Sequence, residues 1–141
     1  AVLIPAIDHA RRRALCCSNL NGIAKAAIMY QTQYLDEWPA DLQALVADGT
    51  VPPEMLLCPS IESGRDVDYF YLPPNQPADG LAAPESVIIA CDYRENHAGK
   101  GRSVLYADGH VMWHEEARFQ DELGYAENAA FAAALRAKEG P

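Results

Sequence analysis

The sequence predicts an α+β fold of 141 residues, in which one long helix packs on a small antiparallel sheet of three or four strands. Two observations carry this prediction. Apolar residues recur at steps of three and four over 8–34, the period of an amphipathic helix. Short apolar and aromatic runs separated by turn residues then fill 68–114 and predict strands joined by hairpins and short loops. Strands connected in this way form an antiparallel sheet that a helix can cover.

The predicted long helix runs from Asp8 to about Tyr34, where Gly22 is the one interior glycine and proline is absent. Pro5 is expected to start or kink it, because its ring removes a backbone hydrogen bond. The apolar stripe must lie against another surface, and we take it as the helix face for assembly. This face consists of Leu20, Ile23, Ala27, Tyr30 and Tyr34.

A short second helix is predicted within 38–49, with Pro39 near its first turn and Gly49 as its C-terminal cap. Its buried face should contain Leu42, Leu45 and Val46. The following segment, 50–67, holds three prolines and reads as loop.

The strand region begins with a predicted strand at 68–72, which Pro73 ends. Residues 86–91 form a continuous apolar run, typical of a strand in the middle of a sheet. Two further strands flank Asp108-Gly109, a pair that takes the positive φ angles of a tight hairpin turn. The tail from 115 to 141 is rich in alanine and predicts a terminal helix.

Size and composition predict a single domain over 1–141, because domains of about 100 to 150 residues are the most common. Half of the residues are apolar and 22% are charged, as in folded proteins. The net charge of −9 argues against nucleic acid as a partner, because phosphates repel such a surface.

The first residues form a short apolar run, 1–7, followed by Arg11, Arg12 and Arg13. Seven residues cannot span a bilayer, which needs about 20. They can be the end of a membrane helix, with the arginines at the lipid head groups. The alternative is the ordinary start of an amphipathic helix.

The four cysteines lack the Cys-x-x-Cys spacing of a zinc site. Cys16 and Cys17 are adjacent on the predicted helix and point about 100° apart, so only one of them can face a given partner. A disulfide between one of them and Cys58 would stabilise the fold by about 4 kcal/mol. The alternative is buried free thiols, and Cys91 in its apolar run is expected to be a core thiol.

Potential metal ligands and acid–base groups concentrate in the last third of the chain, where the weak candidates for a metal site are Asp92, His97 and Asp108. Calcium would use the carboxylates and loop carbonyls, whereas zinc would prefer histidines such as His110 and His114. The spacing matches no established metal or catalytic motif, and the hairpin turn by itself explains Asp108. We therefore expect no catalytic residue and no cofactor, with calcium as the alternative.

Several segments together resemble the prepilin-type proteins that carry a C-terminal His-x9-Asp-Gly motif, which are similar to the pseudopilins of type II secretion. The motif residues here are His97, Asp108 and Gly109, with ten residues rather than nine between the histidine and the aspartate. The other matching segments are Cys-Cys-Ser-Asn-Leu at 16–20, Trp-Pro at 38–39, Leu-Cys-Pro-Ser at 57–60, Ser-Val-Ile-Ile-Ala at 86–90 and Ser-Val-Leu-Tyr-Ala at 103–107.

The resemblance implies a pilin-like fold in which 1–34 is the end of the long pilin helix, 68–114 the sheet and 115–141 a helical tail. It also implies an N-terminally processed and methylated subunit, anchored in the inner membrane, with its head in the periplasm or outside the cell. Expected partners are other pilin or pseudopilin subunits, the assembly platform and prepilin peptidase. The resemblance favours a disulfide between Cys16 and Cys58.

The sequence therefore favours a structural, non-enzymatic subunit of a type II secretion or type IV pilus-like assembly. One alternative is a metal-dependent envelope enzyme that uses Asp92, His97 and Asp108. The other is an extracellular module that binds a glycan or an exported substrate, for which aromatic residues such as those at 69–71 would serve as stacking surfaces.

Overall fold

The computed structural model describes residues 3–140, with side chains described over 7–140. It confirms the α+β class, because a long helix precedes a four-stranded antiparallel sheet whose strands follow chain order. The helices and strands are α1 (Leu3–Gln33), α2 (Gln43–Ala47), β1 (Tyr69–Tyr71), β2 (Ile88–Asp92), β3 (Gly101–Tyr106), β4 (Val111–Glu115), α3 (Glu116–Leu123) and α4 (Ala129–Glu139).

The long helix α1 packs its predicted apolar stripe inside the domain. Leu20, Ile23 and Ala27 are buried in the core beneath the sheet, whereas Tyr30 is half-buried and Tyr34 is exposed beyond the helix end. The stripe that the sequence assigned to subunit contacts is therefore largely covered by the chain itself.

The apolar run at 1–7, interpreted as the end of a membrane helix, lies partly outside the described residues. Among helices within residues 3–140, none has both the length and the apolar character to cross a bilayer. Pro5 falls in the first described turn of α1.

The second helix is shorter than expected. Asp41 accepts a hydrogen bond from the backbone N–H of Ala44 at 2.8 Å, so the helical segment begins only after Leu42. Leu42 and Leu45 are buried as predicted, whereas Val46 is half-buried against the same core. Gly49 adopts a φ of 78° just after the helix. The loop that follows contains a short 3-10 helix at Pro53–Leu56.

Helices cover both faces of the sheet, whereas the sequence assigned no packing partner to the C-terminal tail. On one face, α1 contributes Leu20 and Ile23 to a core with Ile89 and Leu105. On the other face, α3 and α4 pack on a second apolar core. That second core contains Ile88, Cys91, Val104, Tyr106, Phe119, Leu123, Phe131, Ala132 and Leu135.

A β-bulge in β2 decides which face its last residue occupies. Ile88 pairs with Tyr106 and Ala90 with Leu105, so the register shifts by one residue between Ile88 and Ala90. Since alternate residues point to opposite faces, this extra residue reverses the alternation beyond it. Asp92 consequently lies on the α1 face, where it contacts Cys16.

The hairpin between β3 and β4 is confirmed, but its turn needs a positive φ at only one position. Gly109 has a φ of 94°, whereas Asp108 is not among the described non-glycine residues with positive φ. Asp108 instead accepts a hydrogen bond from the backbone N–H of His110 at 3.0 Å. Its side chain thus closes the turn locally, as aspartate commonly does.

A buried arginine joins the C-terminal helices to the sheet. The side chain of Arg102 is fully buried, with Nε 2.8 Å from Glu116 Oε1 and Nη1 2.9 Å from Glu139 Oε1. Its guanidinium also lies over the Phe119 ring, 4.4 Å from the centroid. Burial opposes the charge, but the ion pairs with the two glutamates hold the pKa of Arg102 above its usual range.

Candidate functional site

Four side chains from separate parts of the chain converge beneath α1. Cys16 comes from the middle of α1, and Cys58 from the loop after the 3-10 helix at Pro53–Leu56. Asp92 comes from the end of β2, and His97 from the end of the 3-10 helix at Arg94–His97. One donor atom of each lies within 4.8 Å of all the others. We call these four residues the Cys-Asp-His cluster.

The cluster is compact and almost completely shielded from solvent. The Cys16 Sγ atom lies 3.4 Å from Cys58 Sγ and 3.0 Å from Asp92 Oδ1. The His97 Nε2 atom lies 3.0 Å from Asp92 Oδ2 and 3.7 Å from Cys58 Sγ. Cys16, Cys58 and Asp92 are buried, and the His97 side chain is only 6% exposed.

A shell of hydrogen bonds fixes the orientation of the Asp92 carboxylate. The Ser103 backbone N–H donates to Asp92 Oδ2 at 2.7 Å, and Asn96 Nδ2 donates to Asp92 Oδ1 at 2.9 Å. The same Asn96 amide donates to the backbone carbonyl of Asp68 at 2.7 Å. Because both carboxylate oxygens have donors, Asp92 is fixed with one oxygen toward Cys16 and the other toward His97.

The loop that carries Cys58 is fixed in a similar way. The backbone N–H of Cys58 donates to Asp68 Oδ2 at 2.9 Å. Asn19, one turn beyond Cys16 on α1, donates to the backbone carbonyl of Leu57 at 3.0 Å. The Cys-Pro segment is therefore tied both to α1 and to the residue that precedes β1.

The proximity of these groups perturbs their protonation. The hydrogen bond from Cys16 is the main cause that lowers the pKa of Cys58 to about 6, and His97 adds to it against the effect of burial. The hydrogen bond to Cys58, together with burial, holds the pKa of Cys16 above its usual range. Burial lowers the pKa of His97, but its hydrogen bonds with Asp92 and Cys58 outweigh this and raise the pKa to about 9.

The arrangement differs from a Cys-His-Asp catalytic triad. In a triad, one ring nitrogen of the histidine faces the nucleophile and the other faces the carboxylate. Here Cys58 Sγ and Asp92 Oδ2 both approach the same atom, His97 Nε2. The imidazole thus cannot relay a proton between them, and the cluster is organised around a common centre instead.

Of the three residues that the sequence offered as metal ligands, the structure brings together Asp92 and His97 and separates Asp108. The Asp108 carboxylate is in contact with His110 at the hairpin turn. His114 belongs to the other sheet face, where its Nε2 atom lies 2.7 Å from the Tyr106 hydroxyl and 3.1 Å from Glu122 Oε2. Two cysteines, which the sequence suggested only as a disulfide or as free thiols, replace Asp108 in the cluster.

The sequence did not predict the cluster for two reasons. The bulge in β2 has no recognisable sequence signal, and the four residues are far apart in the chain. Cys16 and Cys58 are 42 residues apart, and only the folded chain brings them to Asp92 and His97. The resemblance did pair Cys16 with Cys58, and their Sγ atoms are indeed neighbours, with the thiols free in this structure. No local spacing motif connects this pair with the two residues from the strand region.

The aromatic triplet at 69–71 packs inside the protein. Tyr69 is buried, with its hydroxyl 3.3 Å from Cys16 Sγ. The Phe70 ring packs edge-on against Phe131 with centroids 5.2 Å apart, and the Tyr71 hydroxyl donates to the Pro39 carbonyl at 2.7 Å. Phe70 and Tyr71 are half-buried, and the three rings support the cores on both faces of the sheet.

Comparisons with family models, with curated proteins and with solved structures give no match. The fold and the Cys-Asp-His cluster therefore rest on the contacts of this chain. The likeness to prepilin-type proteins remains an expectation that derives from sequence motifs.

Proposed function

We propose that the chain is a structural subunit of a pilin-like or type II secretion pseudopilin assembly in the bacterial cell envelope. The observation that carries this proposal is the division of α1 into two parts. From Cys16 onward, the helix buries a regular series of side chains against the sheet. Over residues 7–15, none of the described side chains is buried.

The outer face of α1 exposes several large apolar side chains that such an assembly can use. Ile7, Leu15 and Met29 are 56%, 49% and 59% exposed, although each is a large apolar side chain. At 100° per residue, all three fall within a sector of about 80° around the helix axis. Ile28, 48% exposed, lies about 60° outside this sector. The exposed residues Arg11, Ser18 and Lys25 fall within the sector, so the apolar side chains are spaced along a surface of mixed polarity that another protein can cover.

A helix-to-helix contact suits this surface, because it follows a single helix and is narrow. The predicted occupant is the equivalent helix of another copy or of a related subunit, packed side by side as in a helical bundle. Anchorage in the inner membrane, maturation by prepilin peptidase and contact with an assembly platform are the further parts of the proposal. They are supported by the sequence motifs alone.

Site-specific photo-crosslinking in the native host tests the proposal. A photo-reactive amino acid placed at Leu15 or Met29 is expected to give crosslinks to the same or a related subunit. The matched control position is Met112 on β4, which is 48% exposed but lies away from the outer face of α1. Crosslinks at the two helix positions and none at Met112 would support the assembly. The proposal fails if the helix positions give no protein crosslink or only the same pattern as Met112.

A further inference from the structure

We infer that the Cys-Asp-His cluster is a structural binding site for a zinc-class divalent cation, which Cys16, Cys58, Asp92 and His97 hold together. The inference is independent of the proposed assembly, since the site lies inside the domain and the assembly surface lies outside it. Its role is to fasten α1 and the Cys58 loop to the sheet.

The distances between the donor atoms are close to the edges of a small tetrahedron. Bonds of about 2.0 to 2.3 Å from zinc to nitrogen, oxygen and sulfur give ligand-to-ligand edges of about 3.3 to 3.8 Å. Four measured distances run from 3.0 to 3.7 Å: between the two sulfurs, from Cys16 Sγ to Asp92 Oδ1, from Cys58 Sγ to His97 Nε2, and from His97 Nε2 to Asp92 Oδ2. With one donor atom from each residue, all of the distances lie within 4.8 Å. Small shifts that turn a single Asp92 oxygen toward the centre would complete a four-coordinate site.

The donor chemistry selects the cation. Two thiolates, one imidazole and one carboxylate suit zinc, which accepts sulfur, nitrogen and oxygen in tetrahedral geometry. Calcium needs six to eight oxygen ligands, and this cluster contains a single carboxylate. With both cysteines as thiolates, the ligands carry a formal charge of −3, which a divalent cation reduces to −1. The displaced thiol and imidazolium protons leave to solvent.

The surroundings are those of a structural metal site. All four ligands come from the protein and are shielded, so no coordination position is open to a substrate, which is the property of closed structural sites. Ser103 and Asn96 hold Asp92 by hydrogen bonds to its two oxygens, as outer-shell groups hold metal-binding carboxylates. The Tyr69 hydroxyl lies beside Cys16 Sγ at 3.3 Å.

A groove on the surface reaches the edge of the cluster at His97. Its volume is about 380 Å3, and His97 lies in its wall together with Trp113, Arg13 and His9. The Trp113 ring meets the His97 ring edge-on, with centroids 4.9 Å apart. His97 is therefore the ligand nearest to solvent and the side chain past which a cation enters.

The rival occupant of the same space is a disulfide between Cys16 and Cys58, which would consume both thiolates. A disulfide explains the neighbouring sulfurs, which are 3.4 Å apart. It does not explain why a fixed carboxylate and a histidine point at the same two sulfurs. The two states exclude each other, so one experiment can separate them.

The experiment uses the full chain, purified without chelator and analysed for bound metal by mass spectrometry. The metal-free, reduced protein is then titrated with Co2+ as a spectroscopic probe and with Zn2+ in competition. The expected result is one equivalent of metal, intense visible absorption of tetrahedral Co2+ and a thiolate charge-transfer band. X-ray absorption of the zinc form should show two sulfurs at about 2.3 Å and two lighter ligands at about 2.0 to 2.2 Å.

Variants assign the ligands. Cys58→Ser and Asp92→Asn should each lower the affinity for Zn2+ by more than about 100-fold, beyond the effect of losing an outer-shell group. The control Cys17→Ser removes the neighbouring thiol, which contacts Ser103 and not the cluster, and should leave the affinity unchanged. The wild-type spectra require no variant, so they remain decisive if a substitution prevents folding.

Two outcomes would overturn the inference. One is reduced, folded protein that binds less than a stoichiometric amount of Zn2+ or Co2+. The other is intact mass and peptide mapping of the protein from its native compartment that show a Cys16–Cys58 disulfide. Neither outcome would affect the proposed assembly, whose test depends on the outer face of α1.

Discussion

The two faces of the sheet each bury polar groups under helices, but they neutralise them differently. On the face of α3 and α4, Arg102 brings one positive charge to two carboxylates, Glu116 and Glu139. On the α1 face, Asp92 and two thiols meet the single imidazole of His97. The Arg102 group contains charges of both signs that compensate each other. The Cys-Asp-His cluster instead brings together four donor atoms within 4.8 Å of one another.

This difference shows what each buried polar group can do. Ion pairs supply their own compensation, and the removal of one member leaves an uncompensated charge in the core. A domain whose sulfur, nitrogen and oxygen donors converge gains stability from a ligand that binds only the folded state. The α3/α4 face should therefore be sensitive to mutation, and the α1 face to the presence of a cation.

The largest expected effect comes from breaking the arginine pair. Arg102→Met should lower the free energy of unfolding by about 3 to 5 kcal/mol, because Glu139 and Glu116 lose their buried partner. Urea denaturation followed by circular dichroism measures the change. The matched control is Arg12→Met, an exposed i,i+4 pair with Asp8 on α1, which should change stability by less than about 0.5 kcal/mol. Equal effects of the two substitutions would show that Arg102 has no special role.

Removal of the metal should produce the next largest effect, a loss of stability that originates on the α1 face. At free Zn2+ of about 100 times its dissociation constant, binding adds about 2.7 kcal/mol, which a chelator withdraws. Thermal unfolding with and without chelator measures this difference. Cys17→Ser should respond as the wild-type protein does, and Cys58→Ser should not respond. A chelator effect of equal size in Cys58→Ser would place the cation elsewhere.

A substitution at the start of β3 tests the packing next to the cluster. A Cβ atom at Gly101 would collide with the His114 carbonyl oxygen and would lie 2.6 Å from Trp113, the ring that packs on His97. Gly101→Ala should therefore cost about 1 to 3 kcal/mol, as overpacking does. In Gly80→Ala the nearest atom is the Gln76 side-chain oxygen at 3.4 Å, so this control should be tolerated. Comparable urea midpoints for both variants would disprove the close approach.

The smallest expected effect is at the hairpin turn. Asp108→Ala should cost about 0.5 to 1.5 kcal/mol, the value of a hydrogen bond to the His110 backbone, and leave Zn2+ binding unchanged. Slight burial raises the pKa of Asp108, but the hydrogen bonds from His110 outweigh it, so the pKa is lowered. The contribution is therefore present at neutral pH and is lost as the pH falls through that pKa. Loss of zinc affinity in Asp108→Ala would show that Asp108 contributes to the metal site.

The sequence predicted those elements whose signals are local. The periodicity of α1, the apolar run of β2 and the Asp108-Gly109 turn all depend on neighbours in the chain, and the structure confirms each of them. The sequence did not predict that α3 and α4 cover the second sheet face. The alanine-rich tail predicted a terminal helix, but its residue types did not show which surface that helix covers.

The site was harder to predict, because it depends on register. Asp92 and His97 could be singled out as chemically capable residues, yet the bulge that turns Asp92 toward α1 leaves no clear trace in the residue types of β2. Without that shift, Asp92 would face the α3/α4 side and the cluster would not form. Asp108 lies outside the cluster for a local reason, because its carboxylate accepts a hydrogen bond from the His110 backbone within the hairpin turn.

Hydrogen exchange of the zinc-loaded and the chelated protein tests most directly the claim that only the α1 face requires a cation. We expect chelation to speed exchange in the middle of α1 and in the segments that carry Cys58 and His97. Exchange in α3 and α4, which Arg102 holds to the sheet, should change little. Unchanged exchange around Cys16 and Cys58, or an equal loss of protection in α3 and α4, would contradict the account.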